Sequence, residues 1–123
     1  MKLSEQIENR RQFGESICRR LREEIDKLGF NDGEFQHYPV YDNAGFKLVK
    51  DPYTGDDNLT GHWFDERKQR IGSLQFNSDG TFYAEYDVVK THPAKPKWFV
   101  EAINAWGNTD NIKAEAKLLR LPE

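Results

Sequence analysis

Cysteine is nearly absent from this sequence, and long apolar runs are missing altogether. The one cysteine, Cys18, cannot form a disulfide within the chain, which favours a reducing, cytoplasmic compartment. No apolar run approaches the roughly 20 residues that span a bilayer, and no charged-then-apolar leader is present. We therefore expect a soluble cytoplasmic protein without a membrane partner.

An excess of one charge is also lacking, since 18 lysine and arginine residues stand against 21 aspartate and glutamate residues. This balance offers no basic field of the kind that phosphate backbones require, so no nucleic-acid partner is expected. The chain also lacks a nucleophile-elbow motif, a paired-histidine zinc motif, a Walker loop and a dinucleotide fingerprint. We therefore expect no cofactor and no metal site, and we favour binding over catalysis.

Aromatic residues, in contrast, are plentiful. They make up 13% of the 123 residues and bring a large apolar area to a chain of low mean hydropathy. A chain of this length buries roughly two thirds of the surface that its unfolded form exposes. We therefore predict a single α+β domain over residues 1–123, with one core and a wet surface.

Apolar positions in the first 30 residues recur mostly at intervals of three and four, the period of one helix face. The pattern predicts a long amphipathic helix from Leu3 to Leu28. Gly29 is placed to end this helix in a left-handed turn. Gly14 interrupts the pattern, and Arg10 and Arg11 stand where the stripe predicts apolar residues, so a kink or a frayed first half is expected. Cys18 lies on the apolar stripe, where a small buried thiol is far commoner than a nucleophile.

Residues 37–49 change to a period of two and predict a hairpin, with its turn at residues 43–45 and Val40 opposite Leu48. The connection that follows, residues 51–58, is rich in aspartate, asparagine and glycine. Its acidic residues lack the spacing of an EF-hand, so an ordinary turn is favoured over a calcium site.

The segment FNSDGTF, residues 76–82, predicts a hairpin with a three-residue loop at 78–80 and Gly80 in a left-handed position. This loop sets the strand register, with Phe76 opposite Phe82. A two-residue loop would place the two apolar sets on conflicting faces.

A tight turn at residues 67–68 adds a third strand to this meander. It places Trp63 opposite Gly72, which leaves room for the indole ring. It also pairs Asp65 with Arg70 across the two strands.

The segment THPAKPKWFVEAINAWG predicts a short C-terminal helix, because Phe99, Ile103 and Trp106 follow one another at four and three residues. Residues 112–118 alternate apolar and charged residues and predict a half-buried strand. Together these elements indicate an α+β fold. It has an antiparallel sheet of about five to six strands, with the long N-terminal helix and the shorter C-terminal helix packed on one face.

Three polar residues, His62, Ser73 and Glu85, fall in one row across neighbouring strands of the predicted meander. A histidine beside a hydroxyl and a carboxylate is the set of groups used in acyl transfer, so these three are weak catalytic candidates. Ser73 is central in the row, whereas a triad needs its histidine in the middle. Ser73 would also lie in mid-strand, with its amide committed to the ladder.

The same outer face carries large side chains among polar ones, and the predicted binding residues are Phe64, Ile71, Gln75 and Tyr83. Mixed aromatic and polar surface is typical of interfaces, although another segment folded across this face is an open alternative. The favoured hypothesis is a non-enzymatic protein-binding or regulatory module. It binds a protein partner, or associates with itself, through this face or an exposed edge strand. The alternative is a small-molecule binding protein or hydrolase with a site around His62, Ser73, Glu85 and Tyr83.

Overall fold

The structure is a computed structural model that describes residues 2–30 and 39–122. These residues form helices and an antiparallel sheet, so the predicted α+β class is confirmed. The helices are α1, Leu3–Asn9, and α2, Arg11–Lys27, and a short 3-10 helix covers Tyr41–Asn43. The strands are β1, Lys47–Lys50; β2, Asp57–Phe64; β3, Arg70–Phe76; β4, Thr81–Thr91; β5, Trp98–Asn108; and β6, Asn111–Arg120.

The six strands lie side by side in their order along the chain, and every neighbouring pair is antiparallel. Such a meander needs only turns between consecutive strands. The β3–β4 register is the predicted one, with Phe76 opposite Phe82 and Leu74 opposite Ala84. Gly80 has a φ of +89°, so the three-residue loop is confirmed.

The predicted pair of Asp65 and Arg70 is wrong. Arg70 lies opposite Phe64, because β2 and β3 shift register after Trp63. Lys68 takes a left-handed φ of 62°, which closes a longer loop and adds a bulge in place of the tight turn. On the other side of this bulge, the register follows the prediction along the rest of both strands.

The predicted C-terminal helix is also wrong, since strand β5 occupies its place. Ile103 is fully buried, whereas Trp106 is exposed on the opposite face of the sheet. β5 and β6 shift register between Val100 and Ile103, two inward-facing residues that are both fully buried. This bulge inserts an extra residue between them and so spaces these two buried residues three apart. The outer-face Trp106 happens to follow Ile103 at three residues as well, so the apolar residues resemble a helix period.

The described part of the first predicted hairpin does not form one. Residues Tyr41–Asn43 make the 3-10 helix, and β1 pairs with β2, so that Leu48 lies opposite Leu59 and not opposite Val40. Residues 37 and 38 of that prediction lie outside the described residues.

Two aromatic side chains hold this segment in its observed place. The buried ring of Tyr41 packs directly on Gly14 in α2, and its hydroxyl donates to the Ile7 carbonyl oxygen in α1. The Nε1 atom of Trp63 donates to the Val40 carbonyl oxygen at 2.9 Å. These contacts join residues far apart in the chain, and local periodicity therefore gives no sign of them.

The long N-terminal helix divides at Arg10, which has a φ of −106° and a ψ of 6°. The predicted break therefore exists at Arg10, one of the residues that interrupt the apolar pattern, whereas Gly14 lies inside α2. Gly14 is needed for another reason. A Cβ atom at this position would lie 2.1 Å from the Cε1 atom of Tyr41, and only glycine leaves room for that ring.

Buried His92 holds the carboxyl end of α2. Gly29 has a φ of +91°, as predicted for a left-handed helix end. The Nε2 atom of His92 donates to the Leu28 carbonyl oxygen, and its Nδ1 atom accepts the Ala94 amide. The ring of Phe30 lies 5.3 Å from that of His92, measured between centroids. The histidine thus satisfies one of the carbonyl groups that a helix end leaves open.

One cluster of buried side chains joins α2 to one side of the sheet, which we call the inner face. Strand residues alternate between two faces, so the remaining positions form the outer face. The inner-face cluster includes Ile17, Leu21, Ile25, Leu59, Trp63, Leu74, Phe76, Phe82, Ala84, Tyr86, Val100, Ile103 and Ala105. The outer face includes Thr60, His62, Phe64, Ser73, Gln75, Tyr83, Glu85, Asp87, Asn104, Trp106, Lys113, Glu115 and Lys117.

Candidate functional site

The predicted polar row is present on the outer face. His62 lies opposite Ser73, and Ser73 lies opposite Glu85. The row continues across two more strands, through Asn104 on β5 and Glu115 on β6. We call these five residues the polar row. It crosses β2 to β6 because the register of each neighbouring pair of strands brings these positions opposite one another.

The imidazole of His62 lies in a cationic setting. Partial burial lowers the pKa of His62, and the nearby charges of Arg70 and Lys47 lower it further. Both effects favour the neutral form of the ring over the imidazolium ion. A catalytic base next to a carboxylate would show the opposite influence, because a negative charge favours the imidazolium ion.

The carboxyl group of Glu85 is influenced mainly by its neighbour on the same strand. A hydrogen bond with Asp87 raises the pKa of Glu85, burial raises it further, and Arg70 opposes both effects. Residues two apart on a strand share a face, which brings these two carboxyl groups together. Glu85 is thus paired with Asp87 and does not act on His62.

Acyl transfer is not supported by this arrangement. Strands lie about 4.8 Å apart, so the backbone of Glu85 is about 10 Å from that of His62, with Ser73 between them. In residues 2–30 and 39–122, no hydrogen bond joins His62, Ser73 and Glu85. The structure places the three residues in one row. In a catalytic triad, a carboxylate hydrogen-bonds to the imidazole and orients it, and the imidazole hydrogen-bonds to the hydroxyl and activates it. These hydrogen bonds are not formed among His62, Ser73 and Glu85.

Large aromatic side chains flank the polar row. Tyr83 on β4 is 44% exposed, and it lies directly opposite Trp106 on β5, which is 38% exposed. The Tyr83 hydroxyl donates to Asn104 Oδ1 at 3.3 Å, and burial together with the charges of Glu85 and Asp87 raises the pKa of Tyr83. Phe64, 53% exposed, lies on the other side of the row.

The four predicted binding residues do not share one environment. Phe64 and Tyr83 are exposed, as predicted, and Gln75 is exposed and donates to Asn77 Oδ1 at 2.7 Å. Ile71 is half-buried and packs against the core, so it contributes less outer surface than we expected. No described segment folds across the aromatic side chains, because they are exposed.

A shallow hollow lies at the β5–β6 end of the outer face. Its volume is about 310 Å³, and its lining residues are Glu101, Ala102, Asn104, Glu115, Lys117 and Leu119. Two of these residues, Asn104 and Glu115, belong to the polar row. The hollow therefore continues the row toward the edge of the sheet.

The acidic connection after β1 and the single cysteine have structural roles. Asp51 accepts hydrogen bonds from the amides of Tyr53 and Thr54, which is the pattern of an ordinary turn. Cys18 is buried, and burial raises the pKa of its thiol to about 12. Among the described residues, no group of three or more histidine, cysteine and acidic side chains could hold a metal ion.

Trp106 and Asn104 were not predicted as outer-face residues, because residues 98–106 resemble a helix in sequence. Glu115 was predicted on the polar side of the last strand but not beside the row of His62, Ser73 and Glu85. A signal was present in the sequence. Ile103, Ala105 and Gly107 alternate with polar or aromatic residues, which is the strand pattern that continues after the bulge.

Comparisons with known proteins give no relative for this chain. No family model matches it, and neither the curated proteins nor the solved structures contain a match. Of the helices in the described part of the chain, none has the length and apolar character needed to cross a membrane.

Proposed function

We propose that this chain is a non-enzymatic protein-binding module that contacts its partner through the outer face. The observation that carries the proposal is the exposure of three large aromatic side chains on this one face, namely Phe64, Tyr83 and Trp106. Aromatic residues are enriched at interfaces, where they combine a large apolar area with little conformational freedom to lose. Covering such area contributes about 25 cal/mol for each Å² of apolar surface.

The polar row supplies the specificity that apolar area alone lacks. It runs between Phe64 on one side and the pair Tyr83 and Trp106 on the other. Its serine, histidine and asparagine groups can bond a partner's backbone, and acidic groups on β4 and lysines on β6 add charges of both signs. The partner that fits is a protein surface with an apolar centre and charges of both signs around it.

Capture experiments with matched variants test this proposal. The immobilised wild-type chain, Tyr83→Asp and Tyr53→Asp are each exposed to an extract of the organism that makes the protein. Tyr53 is the control, because it is 96% exposed in the turn between β1 and β2 and lies away from the outer face. We expect Tyr53→Asp to retain the same proteins as the wild type, and Tyr83→Asp to lose them.

A second outer-face variant, Phe64→Asp, should lose the same proteins as Tyr83→Asp. Circular dichroism and thermal unfolding establish that each variant is folded. The proposal is contradicted if all four chains retain the same proteins, or if none of them retains any above an unrelated immobilised control.

A second candidate function is the binding of a small polar ligand, and the hollow at Asn104 and Glu115 is the observation that favours it. Its volume is at the lower end of ligand sites, which span roughly 300 to 1,000 Å³. A fragment screen followed by NMR spectra tests it. Shifts at Ala102, Asn104 and Glu115 would support the candidate, and a library that moves none of these three signals would remove it.

A further inference from the structure

The two edges of the sheet differ in length and in chemistry. β1 has four residues, whereas β6 has ten. Within the described residues, β6 pairs with β5 on one side and with no strand on the other. An edge of this length presents a row of backbone amide and carbonyl groups that can pair with another strand.

The inner side of β6 is incompletely covered. Ile112, Ala114, Ala116 and Leu118 pack against the core, yet each is only half-buried. Their neighbours on β5, Val100, Ile103 and Ala105, are fully buried. The apolar layer of the core therefore extends to the edge of the sheet, and one further strand beyond β6 would cover it.

The charges on the outer side of β6 fit a second copy of the same strand. Lys113, Glu115 and Lys117 alternate along it. In an antiparallel pair centred on Ala116, Glu115 lies opposite Lys117 of the second copy, and symmetry makes this pair twice. Ala114 then lies opposite Leu118 of the second copy on the inner side. Opposite charges placed directly across two strands are stabilising.

Two neighbouring registers fit less well. Centring on Glu115 places Glu115 opposite its own copy and Lys113 opposite Lys117, which are like-charge pairs. Centring on Ala114 pairs Lys113 with Glu115, but it places Leu118 beside the turn between β5 and β6 and leaves it uncovered. Of these three registers, only the one centred on Ala116 satisfies both the charges and the apolar side chains.

The opposite edge of the sheet disfavours self-pairing. β1 has the sequence KLVK, with Lys47 and Lys50 at its ends and no acidic residue between them. A strand of only four residues offers few backbone groups to a second copy, and neither lysine finds an acidic partner within it. Lysine at a short edge is a common protection against unwanted pairing. The chain therefore protects one edge and leaves the other self-complementary.

We propose that the protein forms a symmetric dimer in which β6 pairs with β6 of a second copy, antiparallel and centred on Ala116. The two sheets then join into one continuous sheet. Each copy uses the same surface, which is the arrangement of a closed two-fold dimer and leaves no free end for further growth through this edge.

Charge exchange at two positions tests the dimer and its register. Sedimentation velocity measured over a wide range of concentration should show a monomer–dimer equilibrium for the wild type. Glu115→Lys and Lys117→Glu each create two like-charge pairs, so each should weaken dimerisation by roughly tenfold or more. The double variant Glu115→Lys/Lys117→Glu restores opposite charges and should restore the dimer.

Two further measurements make the test specific. An equimolar mixture of the two single variants should dimerise more strongly than either variant alone, because each strand then faces its complement. The double variant Lys113→Glu/Glu115→Lys restores only the register centred on Ala114, so it should not recover the wild-type dimer. Circular dichroism checks that each variant is folded.

Three results would overturn the proposal. The first is a wild-type chain that is monomeric at every concentration. The second is a dimer that neither single variant weakens. The third is recovery by the Lys113 double variant and not by the Lys117 double variant. The capture of partners by the outer face is measured separately, so failure of the dimer leaves the proposed function standing.

Discussion

At the scale of single residues, the absence of a side chain at Gly14 decides how Tyr41 packs against helix α2. The Gly14→Ala variant gains up to about 1 kcal/mol in intrinsic helix propensity, but its Cβ atom would lie 2.1 Å from the Tyr41 ring. Overpacking of this kind costs about 1–3 kcal/mol, so the clash should dominate. We expect Gly14→Ala to lower the free energy of unfolding, measured by urea denaturation.

Gly45 is the matched control for this prediction. A Cβ atom at Gly45 would meet nothing within 4 Å, and the residue does not require a left-handed φ. Gly45→Ala should therefore be neutral or stabilise the protein by less than about 1 kcal/mol. A Gly14→Ala variant that is as stable as Gly45→Ala would contradict the observed packing of Tyr41.

His92 and His62 make a second comparison between single residues. His92 is buried and bonds to Leu28 and Ala94, whereas His62 is half-exposed on the outer face. His92→Gln breaks this geometry and leaves buried polar groups without partners, which costs about 1–3 kcal/mol. His62→Gln should change the free energy of unfolding by less than about 0.5 kcal/mol. Equal effects of the two substitutions would show that His92 does not hold the end of α2.

The lowered pKa of His62 also predicts a pH dependence. The folded chain binds this proton less readily than the unfolded chain, whose histidine pKa is about 6.5. The contribution of neutral His62 to stability is therefore complete above about pH 6.5 and decreases as the pH falls below that value. Stability near neutral pH is thus unaffected by this group.

NMR titration of His62 identifies the groups that lower its pKa. In Arg70→Gln, the pKa should rise toward the reference value but remain below it, because burial is the larger cause. In Glu85→Gln, the change should be smaller than in Arg70→Gln. A pKa that responds to Glu85 and not to Arg70 would indicate a coupled histidine–carboxylate pair and would reopen the catalytic hypothesis.

At the scale of elements, strand β5 makes the sharpest prediction. Ile103 is fully buried in the core, whereas Trp106 lies on the outer face. Ile103→Ala should cost about 2–5 kcal/mol, and Trp106→Ala should cost about 1 kcal/mol or less, although the tryptophan is the larger side chain. Urea denaturation of both variants measures the difference. The reverse order of stabilities would support the helix that we first predicted for these residues.

The sequence predicts some elements well because their determinants are local. The β3–β4 register follows from the left-handed Gly80 and from the apolar alternation on either side of it. The same register places Ser73 opposite Glu85, and the β2–β3 register adds His62 to the row. The edge strand β6 follows from simple alternation in the same way.

Other elements depend on contacts that local patterns do not contain. A bulge between Val100 and Ile103 changes the apolar spacing, so β5 resembles a helix in sequence and Trp106 is assigned to the wrong environment. The segment around Tyr41 is positioned by Gly14 and Trp63, which are distant in the chain. These long-range contacts override the strand pattern of residues 39–46.

At the scale of the whole molecule, the sheet has two faces and two edges with different roles. The inner face forms the core with α2, and the short lysine-bearing β1 protects one edge. The outer face with its exposed aromatic residues and the long edge strand β6 are the surfaces that we assign to binding. Pairing at β6 uses backbone groups at the edge, whereas a partner on the outer face contacts side chains. The two surfaces share Glu115 and Lys117, but Phe64, Tyr83 and Trp106 lie on strands other than β6. Both can therefore operate in one assembly.

Hydroxyl-radical footprinting with mass spectrometry tests the central claim most directly, because it reports the exposure of single aromatic side chains. The measurement compares the purified protein with the same protein in an extract of the organism that makes it. Tyr53 serves as the internal reference, since it is 96% exposed and lies outside both proposed surfaces. We predict that Tyr83 and Trp106 are oxidised in the purified protein and protected in the extract, while Tyr53 is oxidised equally in both. Equal oxidation of all three residues in the two samples would contradict the proposal that the outer face binds a partner.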